Sequence, residues 1–222
     1  MSRDFRHHSR FRHVCATATC RDRKQSTESS PLKQAPTMFG DKRPRCLEPD
    51  VIAYGAAISA CAKDSQWEEA LDVFSDMGQL SLEPNVVTYN AAIGSCKKGA
   101  KWYEGLGMLS DMRRRHLEPD VITYIASIGA CGRGAQWHEA LGLLSDMYPR
   151  KLQPIVVVYN AAISACEQGA QSHEALGLFS EMCRRRLEPN VITYNAAISA
   201  CEKGARVQEA LGMFSDMRQR RL

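Results

Sequence analysis

An all-α array of stacked helical hairpins is the fold class this sequence predicts, and two observations carry it. The first is a strict period. Pro49, Pro84, Pro119, Pro154 and Pro189 recur every 35 residues without a slip, and four other columns keep that register or nearly so. They are Tyr54, Tyr89, Tyr124, Tyr159 and Tyr194; Cys61, Cys96, Cys131, Cys166 and Cys201; Met77, Met112, Met147, Met182 and Met217; and Gly99, Gly134, Gly169 and Gly204. A fixed period of this size means one supersecondary unit stacked on copies of itself. The second observation is two helical stripes inside each period. Stacked units of this kind offer one extended concave surface to which each contributes the same few positions.

Residues 191–217 illustrate the unit. Val191, Tyr194, Ile198 and Cys201 follow the rhythm of one helix face, and alanines fill much of the remainder, which predicts a slim first helix. Gly204 interrupts the pattern and predicts a turn. A second stripe follows at Ala210, Leu211, Phe214 and Met217. An acid precedes each methionine of that column (Asp76, Asp111, Asp146, Glu181, Asp216), which predicts an exposed polar face. Between units, proline holds an extended entry, and Asp50, Asn85, Asp120 or Asn190 stands where it can cap the next first helix. The third repeat is irregular. Ile155 occupies the capping place and cannot cap, and Pro149 should end the preceding helix early.

Charge divides the chain in two. Residues 1–50 hold 11 Lys/Arg against 6 Asp/Glu, whereas residues 51–222 hold 18 against 19. The array is therefore nearly neutral, which argues against binding driven mainly by phosphate neutralisation. The leader is rich in Arg, Ser and Thr, a composition shared by organelle transit peptides and by disordered basic tails. His7 and His8 belong to that tail. No apolar run is long enough for a transmembrane helix, and no membrane partner is expected. The five periodic cysteines read as a buried apolar column, and reduced thiols fit an intracellular compartment. Cys15, Cys20, Cys46 and Cys183 are irregular, and His13, Cys15 and Cys20 lack the second ligand pair of a metal site.

With the 35-residue period, the opening V-[IV]-T-Y-N, the central E-A-L and the closing M-x-x-x-x-L-E-P-[ND], the sequence resembles the pentatricopeptide repeat family. The resemblance covers five consecutive units, 51–85, 86–120, 121–155, 156–190 and a shorter 191–222. It implies a right-handed superhelical solenoid of stacked helix-turn-helix repeats that binds single-stranded RNA at one base per repeat. In the family the fifth residue of the first helix and the last residue of the repeat meet the base edge, and the second residue packs on the base face. Here the second residues are Ile52, Val87, Ile122, Val157 and Ile192. The fifth and last residues pair as Gly55 with Asn85, Asn90 with Asp120, Ile125 with Ile155, and Asn160 with Asn190, while Asn195 stands alone. By the family's pairing rules Asn90–Asp120 favours U, Asn160–Asn190 favours C over U, and Asn195 suggests a pyrimidine. Gly55 and Ile125 offer no polar side-chain group, so those units should read nothing clearly. With RNA running parallel to the chain, the implied target is 5′-N-U-N-Y-Y-3′.

Plainer explanations stand beside these. Asn or Asp at the last position is accounted for equally well as a helix cap. Val or Ile at the second position is accounted for equally well by packing between repeats. The tyrosines and Trp67, Trp102 and Trp137 read as core. The runs Arg113–Arg115 and Arg184–Arg186 read as solvated cations that complement helix dipoles. Asn inside an Ala-rich helix is harder to explain structurally, because it is a poor helix former.

Nothing in the sequence supports catalysis. It has no Gly-rich phosphate loop, no clustered carboxylates and no deaminase signature, and His116, His138 and His173 occupy unequal places in their repeats. No cofactor is implied. The expected role is an organellar RNA-binding adaptor in processing, stability or translation. The alternatives are a helical scaffold for a protein or peptide and a fragment of a longer repeat protein. Apolar end faces on such an array would favour protein partners or self-association.

Overall fold

The computed structural model describes residues 50–222; expectations for the leader, including His7, His8, His13, Cys15, Cys20, Cys46 and Pro49, lie outside the described residues. Among these residues there are ten helices and no strand. They are α1 Val51–Lys63, α2 Trp67–Gln79, α3 Val86–Lys98, α4 Trp102–Arg114, α5 Val121–Arg133, α6 Trp137–Asp146, α7 Val156–Gln168, α8 Ser172–Arg184, α9 Val191–Lys203 and α10 Val207–Gln219. The odd-numbered helices are the first helices of successive repeats. None of the ten is long and apolar enough to cross a membrane.

Each first helix packs on the next first helix and on its own second helix, while the backbones of successive second helices do not approach one another. The array therefore closes up on its first-helix side and opens on the other, an all-α solenoid of stacked hairpins. The small residues make this possible. A Cβ added to Gly132 on α5 would lie 3.2 Å from Ala165 Cα on α7, so the two backbones are already in contact there. Tyr89, Tyr124, Tyr159 and Tyr194 are fully buried, as are Ile58, Ile93, Ile128 and Ile163 and the methionines from Met77 to Met182. Each such aliphatic side chain contributes about 1.5–3 kcal/mol on burial. One core cluster runs from Tyr124 to Ala200, and Ile93, Leu109 and Ala126 form another. The second stripe of the last repeat is different, for α10 buries no residue and leaves Leu211 and Phe214 exposed.

The cysteine column is buried from Cys96 to Cys201, with Cys61 partly covered and Cys183 exposed. Burial pushes the thiols of Cys96, Cys131 and Cys166 up to about 12, which leaves them inert at neutral pH. The carbonyls of this column also close the first helices. Gln136 N–H donates to Cys131 O at 2.8 Å and Ala135 N–H to Gly132 O at 3.0 Å, the paired bonds of a Schellman motif.

The turn glycines stand where the sequence places them, for a different reason. The left-handed residue of the turn is the alanine after each glycine: Ala100, Ala135, Ala170 and Ala205 have φ of 54–55°, and no glycine has positive φ. Glycine is needed because a tryptophan from the preceding repeat lies against it. A Cβ on Gly169 would meet Trp137 Cδ1 at 2.5 Å, and Gly99 and Gly134 face Trp67 and Trp102 in the same way. Where Ser172 replaces the tryptophan, it faces Gly204.

Two expectations about the second helices need correction. The acids are not a free polar face, because they accept hydrogen bonds from the buried tyrosines. Tyr89 Oη donates to Asp111 at 2.5 Å, Tyr124 to Asp146 at 2.6 Å and Tyr159 to Glu181 at 3.1 Å, and Tyr194 donates to Asp216. A buried hydroxyl without a partner would be costly, and the acid one helix away supplies it. Nor is Arg113 a solvated cation, since it pairs with Asp146 of the next repeat and donates to Tyr124 Oη at 2.9 Å. The third repeat is irregular as expected: α6 stops at Asp146 after 10 residues rather than 13, and α7 starts without a side-chain cap at Ile155. Tyr148 then takes the place Arg113 holds one repeat earlier, donating to Glu181 at 3.1 Å.

Candidate nucleic-acid interface

A groove of about 650 Å³ runs across the first-helix side. Every residue lining it comes from a first helix or from the turn or linker beside one, including Ile125, Val157, Asn160, Asn190 and Ile192. Two of the sequence-predicted pairs are in direct contact. Asn90 Nδ2 donates to Asp120 Oδ1 at 3.2 Å, and Asn160 Nδ2 donates to Asn190 Oδ1 at 3.2 Å, each across 30 residues of chain. The capping role and the pairing role coincide in one residue. Asp120 and Asn190 accept the N–H of Thr123 and Thr193 at 2.8 and 3.1 Å, and Asn85 accepts that of Thr88 at 3.0 Å.

The threonines are members of the site that the sequence reasoning missed. Each of Thr88, Thr123 and Thr193 is fully or almost fully buried and completes a capping box by accepting from the cap residue's own N–H. Thr123 Oγ1 also lies 2.6 Å from Asn90 Oδ1, and Thr193 Oγ1 lies 2.6 Å from Asn160 Oδ1. The recurring T-Y-N carried this signal, but the threonine meets the asparagine of the preceding repeat rather than its own.

The remaining sites are incomplete. Gly55 is buried against Thr88 and gives Asn85 no side-chain partner. Ile125 lines the groove and Ile155 is 45% exposed, so this pair is wholly apolar. Asn195 is exposed on α9, with no side-chain hydrogen bond among the described residues. The second-position residues are all exposed, from 49% at Val157 to 77% at Ile52. Packing between repeats therefore does not account for them.

The pairs differ in the polar atoms they leave free. Burial raises the pKa of the Asp120 carboxyl, but the hydrogen bonds from Thr123 and Asn90 outweigh it and hold the group below the usual carboxylate range. Asp120 is ionised at neutral pH and can only accept. The first pair thus offers an amide donor and a carboxylate acceptor. In the second pair Asn190 Oδ1 is already occupied, so both residues offer N–H donors.

Lys97 and Arg133 line the same groove and escaped the sequence reading as well. Burial, and then the charge of Arg133, push the Lys97 amine below its ordinary value of 10.5. One repeat pair further on, Glu167 holds the place equivalent to Lys97. It accepts from Lys203 Nζ at 3.0 Å and from Ser199 at 2.9 Å. No metal-binding cluster of His, Cys, Asp and Glu occurs among the described residues.

The sequence model of the PPR repeat family matches residues 49–98, 84–133 and 154–203, and that of the single PPR repeat matches 192–222. The chain belongs to the pentatricopeptide repeat family. Among solved structures it is similar to maize PPR10, at 24% identity and TM-score 0.64, over 78% of this chain and 25% of that one. It is similar also to PPR10 in complex with an 18-nucleotide psaJ RNA element, at 26% identity and TM-score 0.61, over 79% of this chain and 29% of that one. The PPR domain of Arabidopsis thaliana protein-only RNase P 1, in complex with tRNA, shares the fold at 13% identity and TM-score 0.64, over 78% and 90% of the two chains. The chain thus spans only a quarter to under a third of the length of PPR10. No curated protein matches it.

Proposed function

We propose that this protein binds single-stranded RNA along the first-helix groove and selects pyrimidines through Asn90–Asp120, Asn160–Asn190 and Asn195, acting as an organellar RNA adaptor rather than as an enzyme. The observation that carries this reading is the hydrogen-bonded fifth–last pair, present twice and placed beside exposed Val or Ile. Uracil presents an acceptor at O4 and a donor at N3. Asn90 Nδ2 and the Asp120 carboxylate are the complementary donor and acceptor. Cytosine presents an acceptor at N3, which suits the donors left on Asn160 and Asn190. Val87, Val157 and Ile192 supply exposed apolar surface for the flat faces of the bases. Lys97 and Arg133, cations without a counter-ion among the described residues, supply charge for the phosphates. The solved PPR10 and RNase P 1 complexes with RNA support the assignment of partner class.

The test is fluorescence-anisotropy binding of the full chain to an RNA containing 5′-AUACC-3′, compared with one in which the three pyrimidines are purines. The expected result is a preference for the pyrimidine RNA that disappears when Asn90, Asn160 and Asn195 are all changed to Ala. Equal binding of the two RNAs, or none, removes base reading as the function of this groove and shifts the assignment to a protein or peptide scaffold.

A further inference from the structure

We infer that Thr123 and Thr193 are positioning residues for base selection, so that each reading site is a triad drawn from two consecutive repeats; this rests on the pyrimidine-reading function proposed above. Thr123 Oγ1 is 2.6 Å from Asn90 Oδ1 and 2.9 Å from Asp120 Oδ1, and it has one proton to give. Asp120 already receives the N–H of Thr123 and the amide of Asn90 on that same oxygen. Asn90 Oδ1 has no other donor among the described residues, so the threonine proton belongs there.

The chemistry of Asp120 fixes the rest. An ionised carboxylate only accepts, so the Asn90 amide must present Nδ2 to Asp120 and Oδ1 to Thr123. The amide is held at both ends, with its second N–H left for a base. The fourth repeat repeats this arrangement: Thr193 donates to Asn160 Oδ1 at 2.6 Å, and Asn160 is only 8% exposed. A buried carbonyl deprived of its donor there would be unsatisfied.

Other junctions in the chain show what happens without one partner. At the third repeat all three positions are apolar together, Ile125, Ile155 and Val158, and α7 still forms. At the first repeat Gly55 replaces the asparagine, and the Thr88 hydroxyl turns back to Asn85 O at 2.8 Å. The threonine thus caps its helix in every case, and positions an amide only where an asparagine precedes it by 33 residues.

This contrast supplies the experiment. Thr123→Val and Thr88→Val remove the same capping hydroxyl, and Val158 shows that the helix accepts valine at this position. Binding to RNAs that differ only in U or C at the second nucleotide, with melting temperatures measured in parallel, separates the two roles. Thr123→Val should lower the preference for U by about five- to tenfold, the size of one lost hydrogen bond. Thr123→Ser should restore it, and Thr88→Val should leave it unchanged despite a similar fall in melting temperature. In the RNA-free protein, Thr123→Val should also move the two Asn90 amide-proton signals toward the shifts of a solvent-exposed asparagine, the two staying separate because the amide C–N bond rotates slowly. Unchanged U preference and Asn90 signals in Thr123→Val would reduce the threonine to a helix cap, as would an equal loss of preference in Thr88→Val. Absence of any U preference in the unmodified chain, with Asn90 signals that still respond, would instead refute base reading while keeping the positioning contact.

Discussion

Lys97 on α3 and Arg133 on α5 lie on consecutive first helices and line one groove, with no acid among the described residues paired to either of them. Two repeats later the equivalent place holds Glu167, which neutralises Lys203. The concave side is therefore basic toward its N-terminal end and balanced toward its C-terminal end, although the array as a whole is nearly neutral. Each phosphate contact on a single strand adds roughly 0.7 to the slope of log K against log salt. Lys97→Gln with Arg133→Gln should reduce that slope by about 1.4, two such contacts. Lys203→Gln should leave it almost unchanged. Titrations of RNA binding across salt concentrations check both.

Lys97 is also expected to cost the free protein stability. Its pKa is lower folded than unfolded, so folding is penalised wherever the amine is protonated in both states, and the penalty fades as the pH rises through the unfolded value. Lys97→Gln should bind RNA more weakly and yet melt no lower than the unmodified chain. A substitution that merely damaged packing would lower both.

Two glycines should respond oppositely to alanine. A Cβ on Gly105 would lie 3.5 Å from Cys96 Cβ, an ordinary contact, and Ala70, Ala140 and Ala175 occupy the same place in other repeats. Gly105→Ala should stabilise the fold by about 0.5–1 kcal/mol. Gly134→Ala would drive its methyl into Trp102 and should cost about 1–3 kcal/mol. Urea denaturation of the two variants checks the signs.

Stability should decline on both sides of neutrality through one set of contacts. Burial, and then the hydrogen bond to Asp146, push the Tyr124 phenol up to about 12 from an ordinary 10.0. A group that holds its proton more tightly when folded gives stability that is present below pH 10 and lost as the pH rises toward 12. Asp146 works at the other end. Burial raises its pKa, but hydrogen bonds from Tyr124 and Arg150 and the charge of Arg113 outweigh this and hold it below 3.8. That contribution is present above the unfolded value and lost as the pH falls through the folded one. Thermal melts should show a plateau near neutrality, and Tyr124→Phe should flatten the alkaline limb.

The apolar third site should be convertible. Ile125→Asn, Ile155→Asp and Val158→Thr together recreate the triad of Asn90, Asp120 and Thr123. The triple variant should acquire a preference for U at the third nucleotide of about tenfold, the scale of a paired polar contact to a base edge. Ile125→Asn with Ile155→Asp alone should acquire less. Binding to RNAs varied at that nucleotide checks both.

The hairpins, their boundaries at proline and glycine, the buried tyrosine and cysteine columns and the early end of α6 were legible in the sequence, because local period and turn chemistry specify them. The fifth and last positions of the repeat were also legible, although only resemblance gave them a role. Thr123 was not, because its asparagine lies 33 residues earlier and only stacking brings the two together. The purpose of Gly134 was hidden for the same reason, since its constraint is a tryptophan of the preceding repeat. The acids before the methionines looked like a solvated face because nothing local shows that a buried hydroxyl points at each of Asp111, Asp146, Glu181 and Asp216.

By itself, then, the sequence determined which segments are helices and that they must stack, since both follow from contacts a few residues apart and from a period that repeats. The tertiary structure alone decided which polar atoms are already used and which remain open. Hydrogen-bond capacity is finite, and every competing partner of Asn90, Asn160 and Lys203 is about one repeat away along the chain.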